Sequence, residues 1–389
     1  MKFALLGADS ESMALAKAAK SLGHTIAWCG DFADDYPSEA DWLGTDQGEL
    51  WEGLLDGTAI DAVVVGRGAA EASVRSDQLS QLAKSSMPVL TSFPLVDSVL
   101  NYYEIDMAHG EADGVLQHFN PLIEQLQIVQ QCIEWIANGH ATLGPIEQIV
   151  WDRPLAERTQ SNVLWHFSRD VELLSLISGG LNRLGALGSA DEAATYSGLS
   201  VQLLGRREVP VRWQVGPIER DSHPRLVLIA QHGKLTIAFD ESGGQAQFTE
   251  ASGGDETTSA PYESIDAATQ CVRRFVDVAQ AVGGKAESTW SSALAAMELT
   301  DTIEIALRRG RMIEVHQQQL TEQMAFKGTM SAVGCGVLLT IPPLLLLCGW
   351  IAELAGLSIA RYWPHALLSL LAVFLGLQVL PKLVFNTED

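Results

Sequence analysis

The sequence predicts an α/β protein in three parts: a doubly wound parallel sheet at the N-terminus, a second α+β domain with an open, mostly antiparallel sheet, and C-terminal transmembrane helices. Three observations carry this. Short apolar runs alternate with amphipathic helical segments up to about residue 120. After Gly144 the apolar runs switch to period-2 alternation. Beyond Lys327 come two long uncharged stretches. The expected boundaries are 1–120, 121–320 and 328–385.

The first unit opens with Lys2–Gly7 (KFALLG), an apolar run read as a strand and not as a leader, since it is short and directly followed by a turn. Ser12–Leu22 carries Met13, Leu15, Ala16 and Ala19 on one helical face, and Gly23 stops it. His24–Cys29 is the second strand. Ile60–Val65 and Met87–Leu90 are further buried strands, with a helix over Glu71–Ser85 between them. A helix through Val96–Gly110, a strand at Val115–His118 and a long helix from Pro121 to about Ala137, with Gly139 as its stop, follow. In such a sheet ligands bind beyond the carboxyl ends of the strands, here Gly7, Asp31, Gly66 and Thr91-Ser92.

In the second unit Ile146–Trp151, Val201–Leu204, Val211–Val215, Leu226–Ala230 and Leu235–Phe239 are expected strands. Val211, Trp213 and Val215 would face one way and Arg212 and Gln214 the other. Helices are expected at Ser161–Ser178, after a cap at Ser264, and at Trp290–Arg309, and Glu241–Pro261 is expected to be a surface loop.

With 25 Lys+Arg against 48 Asp+Glu, the net charge is −23, which argues against nucleic acid as a partner because phosphate binding needs a basic surface. The five cysteines are scattered, so neither a metal site nor a disulfide framework is expected.

The turn Gly7-Ala8-Asp9-Ser10-Glu11-Ser12 stands where a Rossmann unit carries G-x-G-x-x-G. Gly7 matches. Asp9 puts a carboxylate where the second glycine lets a pyrophosphate approach, and Ser12 is a small substitute for the third. Asp31 lies roughly 20 residues further on, where an acidic residue binds a ribose hydroxyl and repels a 2′-phosphate, and no arginine follows it closely in sequence. The motif therefore admits NAD, or a plain βαβ unit without a ligand.

From Met1 to about Val315 the chain resembles the Gfo/Idh/MocA family of NAD(P)-dependent oxidoreductases. The likeness rests on the opening unit, on Val89-Leu90-Thr91-Ser92-Phe93-Pro94-Leu95, on His118-Phe119-Asn120-Pro121, and on Ser288-Thr289-Trp290 with Leu294, Glu298 and Arg309-Gly310-Arg311. The resemblance implies cofactor contacts at Gly7, Ala8, Asp9, Ser12, Asp31, Gly66 and Pro94, with NAD as cofactor and NADP or none as alternatives. It also implies a carbohydrate- or cyclitol-like substrate. The family pattern Glu-Lys-Pro reads Ser92-Phe93-Pro94 here, so phenylalanine replaces the catalytic lysine. The family places a histidine three residues before an aspartate on a helix of the second domain, whereas His166 and Asp170 stand at i, i+4. They remain the expected proton handlers if they pair. The other arrangement has Asp170 paired with Arg169 or Arg183. A catalytically degenerate ligand-binding or scaffold protein of the same fold is the rival expectation.

Gly328–Ala352 and Tyr362–Pro381 carry no charge, and each is about the length that spans a bilayer core. Arg308, Arg309, Arg311 and Lys327 precede the pair and Lys382 follows it, against Arg361 in the connection. The positive-inside rule then puts both ends, and the soluble domains, in the cytoplasm of a two-span protein of the cell membrane. Gly328, Ala332 and Gly336 form a small-residue stripe suited to pack the spans together or to join two copies as a homo-oligomer.

Overall fold

A computed structural model describes residues 1–32, 51–56, 60–68, 70–112, 114–189, 194–218, 223–239, 246–253, 255–258, 266–281, 289–315 and 350. The chain divides into Met1–Gln317 and Gln318–Asp389, and all described residues except Trp350 lie in the first unit. The expected membrane hairpin falls outside the described residues. Among those residues no helix is long and apolar enough to cross a membrane.

The first sheet is built from β1 (Lys2–Leu6), α1 (Ser10–Ser21), β2 (Thr25–Gly30), β3 (Ala62–Val65), α2 (Ala72–Lys84), β4 (Val89–Ser92), α3 (Val99–Gly110) and β5 (Leu116–Phe119). All five strands run parallel in the order β2-β1-β3-β4-β5. Helices cover both faces, so β3, β4 and β5 are buried throughout and read in sequence as unbroken apolar-rich runs.

The second part continues with α4 (Leu126–Asn138), β6 (Ile146–Leu155), α5 (Gln160–Ser178), β7 (Leu181–Leu187), β8 (Ser200–Gly205), β9 (Val211–Pro217), β10 (Arg225–Ala230), β11 (Gly233–Phe239), β12 (Ala246–Ser252) and β13 (Asp255–Thr258). It closes with α6 (Ala267–Gln280), α7 (Trp290–Arg309) and β14 (Ile313–Glu314). Its sheet has nine strands in the order β13-β12-β11-β10-β6-β9-β8-β7-β14, antiparallel except for the parallel pair of β6 with β9. Val211, Trp213 and Val215 are buried while Arg212 and Gln214 are half-buried, as the alternation predicts. Trp213 meets Phe167 of α5 edge-on at 5.1 Å, so α5 lies on the inner face of this sheet.

Three expectations need correction. The Glu241–Pro261 stretch contains β12 and β13, because pairing with β11 fixes residues whose own composition favours a loop. β7 and β14 had no forecast at all. The long helix after Pro121 starts later, at Leu126, since Asn120–Glu124 forms a turn in which the Asn120 side chain accepts the Leu122 N–H at 3.2 Å. The expected cap Ser264 lies outside the described residues, and Asp266 directly precedes α6.

The last two helices return to the first sheet. Phe275 of α6 packs on Phe3 at 6.2 Å, and Trp290 of α7 stacks on Tyr102 of α3 at 4.8 Å. The Trp290 indole N–H also donates to the Tyr102 carbonyl at 3.1 Å. α7 thus lies against α3 and α5 and touches β5.

Candidate functional site

The crevice begins at the turn after β1. Gly7 has φ +73°, and a Cβ there would fall 2.5 Å from the Gly66 carbonyl oxygen. A Cβ on Gly66 would meet the Ser12 hydroxyl at 2.4 Å, so glycine at 66 and serine at 12 together permit the close contact of helix and strand. Ala8 is buried in the same turn.

Asp9 caps α1. Its Oδ1 accepts the Ser12 N–H at 2.7 Å, while the Ser12 hydroxyl accepts the Asp9 N–H at 2.9 Å, giving a reciprocal capping box. Its Oδ2 accepts the Arg67 N–H at 2.8 Å and the Ser92 hydroxyl at 2.7 Å. One carboxylate therefore uses three donors gathered from α1 and from the ends of β3 and β4.

Asp31 sits at the end of β2 with φ +61°. The sequence shows no arginine close behind it, but the fold brings Arg75 of α2, whose Nη2 donates to Asp31 Oδ2 at 2.5 Å. The same guanidinium donates to Gln78 Oε1 at 2.8 Å and to the Arg67 carbonyl at 3.1 Å. Burial lowers the Arg75 pKa, with the Asp31 charge and hydrogen bond opposing that shift. Since Asp31 is neutralised by Arg75, it gives no basis for preferring NAD over NADP.

Pro94 holds the edge of the next opening, where its carbonyl accepts Arg67 Nε at 3.0 Å. Phe93 is fully buried, edge-on to His118 at 5.1 Å and to Tyr102 at 6.1 Å. Its hydrocarbon ring can take no proton. Beneath it is a polar cluster that joins β5 to α5 and α7. His118 Nε2 lies 2.6 Å from Glu172 Oε1, and its Nδ1 lies 3.0 Å from the Thr289 hydroxyl. Asn120 donates to Glu172 Oε2 at 2.9 Å and Ser292 donates to Glu172 Oε1 at 2.8 Å. Burial raises the Glu172 pKa, but His118 and these hydrogen bonds outweigh it and the carboxyl ends below its ordinary value.

His166 and Asp170 do not pair. Asp170 is fully buried in a bidentate ion pair with Arg153 and also accepts the Trp213 indole N–H at 2.8 Å. Its partner is thus neither Arg169 nor Arg183. His166 is held neutral: burial, with Arg153 and Arg169 nearby, pushes its pKa down to about 2. An imidazole with so weak an affinity for protons is a poor general base near neutral pH. Arg169 and Glu172 stand at i, i+3 on the same helix. Arg169 pairs with Glu11 of α1 at 3.0 Å and stacks over Trp165 at 4.5 Å. Sequence reasoning missed Arg75, Arg169 and Glu172. For the last two the i, i+3 spacing was an available signal, whereas nothing local marks Arg75.

Trp165 stands between two openings. One, of about 320 Å³, is lined by Glu11, Arg153, Trp165, His166, Arg169 and Asp266 among others. The other, of about 540 Å³, runs between Pro94, Asp97, Trp165, Ser168, Thr300 and Glu304. Among the described residues no group of His, Cys, Asp or Glu side chains could hold a metal. The dinucleotide fits this arrangement poorly. The helix-start donor, the acidic residue after β2 and the space over Gly7 are all engaged by the chain's own side chains.

No family profile and no curated protein is detectably similar to the chain in sequence. Solved structures do match. An aldose–aldose oxidoreductase from Caulobacter crescentus, complexed with glycerol, shares 15% identity over 81% of this chain and 99% of its own, with a TM-score of 0.65. An oxidoreductase from Agrobacterium radiobacter in complex with NAD+, L-tartaric acid and magnesium matches at 13% identity, 81% and 98% coverage and TM-score 0.62. A biliverdin reductase from Synechocystis, in complex with biliverdin and NADP+, matches at 13%, 79% and 99%, with TM-score 0.60. The resemblance to Gfo/Idh/MocA-type oxidoreductases thus holds at the level of the fold, across nearly the whole length of those chains.

Proposed function

We propose that the chain is a ligand-binding module on an oxidoreductase fold, which takes a carbohydrate-like molecule in the cleft beside Pro94 and Trp165 and transfers no hydride. The observation that carries this is Phe93, packed against His118 where a proton acceptor would be required. Loss of hydride from an alcohol carbon must be accompanied by loss of the hydroxyl proton. Glu172 is engaged by His118, Asn120 and Ser292, Asp170 by Arg153 and Trp213, and His166 stays neutral. The cleft suits a polyol because the half-buried Trp165 indole lines it with apolar surface for the C–H groups of a sugar, while the exposed Asp97, Gln160 and Glu304 offer polar groups around it.

The second reading is a nicotinamide-dependent oxidoreductase acting on a sugar or cyclitol, with His166 and Asp170 handling the proton. It is favoured by the complete two-sheet layout and by Pro94. Calorimetric titration of the detergent-solubilised full chain with a panel of polyols and sugars, alongside assays with NAD and NADP, separates the two. Binding without turnover, weakened at least tenfold by Trp165→Ala, is the expected result. Rapid cofactor-dependent oxidation of any of these would sink it.

We place this module on the cytoplasmic face of a membrane, through the hairpin Gly328–Pro381. Reporter fusions at Lys327, Leu357 and Asp389 test the topology. Only the Leu357 fusion should report the outside.

A further inference from the structure

We infer that the dinucleotide crevice of the first sheet is filled by the chain itself, with Asp9 in the place of a phosphate and Arg75 in the space over the glycine turn. A pyrophosphate at such a turn takes free N–H groups at the helix start, and the ribose hydroxyls take a carboxylate after the second strand. Here Asp9 accepts the Ser12 N–H at 2.7 Å, the Arg67 N–H at 2.8 Å and the Ser92 hydroxyl at 2.7 Å. An anion entering the crevice would face that carboxylate and would have to displace it from all three donors.

The second half of the site is closed in an independent way. The Arg75 guanidinium reaches Asp31, the Arg67 carbonyl and Gln78, and its Nη2 lies 2.5 Å from where a Cβ on Gly7 or on Gly68 would stand. Gly68, with φ +61°, also lies against the turn: a Cβ there would come 2.7 Å from Gly7 Cα and 2.5 Å from the Asp31 carbonyl oxygen. The end of β3 thus closes over the ends of β1 and β2, and the arginine fills what remains. Positions that serve a cofactor in a Rossmann unit serve in this chain to hold the ends of four strands together.

The test is titration of NADH into the detergent-solubilised full chain, followed by its fluorescence, for the wild type, Asp9→Gly, Arg75→Ala and the double variant. Circular dichroism confirms folding. The wild type is expected to show no saturable signal up to about 1 mM, and the double variant to bind at least tenfold more tightly than the wild type. Glycine caps a helix nearly as well as aspartate, so Asp9→Gly should fold. Arg75→Met, which keeps the buried apolar stem, replaces alanine if that variant does not fold. Saturable wild-type binding below 1 mM overturns the inference, as does a folded double variant no better than the wild type. Mass spectrometry of small molecules released from denatured wild-type protein gives a second measurement: no nucleotide is expected, and a stoichiometric one overturns the inference. Wild-type NADH binding without turnover would overturn this inference and leave the proposed function standing, because that function turns on Phe93.

Discussion

Two openings of the compact unit treat their polar groups in opposite ways. In the crevice beyond β1 and β3, Asp9 and Asp31 are matched to donors of the chain itself. In the cleft beside Trp165 the carboxylate of Asp97 stands 77% exposed and holds Arg67 at 3.3 Å. A site whose polar groups are all used internally has become framework, while one that leaves carboxylates facing water keeps the capacity to bind. Residue identity alone does not make this distinction, since both places carry aspartates.

The sharpest way to break this comparison is at Asp170. If it belongs to the framework, Asp170→Ala removes the buried carboxylate that Arg153 and the Trp213 indole donate to and should cost about 3–5 kcal/mol in urea denaturation. A loss under ~1 kcal/mol would return Asp170 to the list of groups free for chemistry. Glu172→Gln, which weakens charge-assisted bonds to His118, Asn120 and Ser292, should cost about 2 kcal/mol at pH 7. The folded-state pKa of Glu172 lies below its ordinary 4.5, so this contribution is present above that value and fades as the pH falls through the lower, folded one. Denaturation curves of wild type and variant should therefore converge in acid.

Close to neutral pH, His166 gives a smaller effect with a distinct signature. The native state refuses the proton down to about pH 2, whereas the unfolded chain accepts it below its ordinary 6.5. Stability should then fall by about 1.4 kcal/mol per pH unit below 6.5 relative to His166→Gln. Parallel profiles for the two proteins would show that His166 protonates in place and is available as a base. The smallest expected effect is that of Asp97→Ala, within about 0.5 kcal/mol, because an exposed ion pair contributes little. If polyol affinity in the neighbouring cleft changes while stability does not, the contrast between the two openings is confirmed from the ligand side.

The sequence makes the parallel sheet legible because its strands are buried on both faces and its helices are amphipathic. α7 matches its expected bounds, Trp290–Arg309, since a buried stripe runs its length and Gly310 ends it. Edge strand β13 and its neighbour β12 are not legible: Asp255–Thr258 has little β character of its own, and its pairing partner decides. In the site, the disruptive part of Asp9 is visible as a charge in a glycine position, and Phe93 as a missing base. Arg75 is invisible in sequence. It reaches Asp31 across 44 positions, and only the fold, which packs Leu79 and Leu82 of α2 into a core with Val63 and Val65, brings the two together.

The parallel pairing of β6 with β9 bears on how the chain is made. β10, β11, β12 and β13 are sequential neighbours and can zip locally, but β6 receives its first partner, β9, only after roughly sixty further residues have been added and its second, β10, later still, closures whose entropic cost grows slowly with length. Until residue 211 leaves the ribosome, the strand that will occupy the centre of the nine has two bare edges and an unburied Trp151. During synthesis the most protected strand of the finished sheet is the one most open to pairing with a foreign chain.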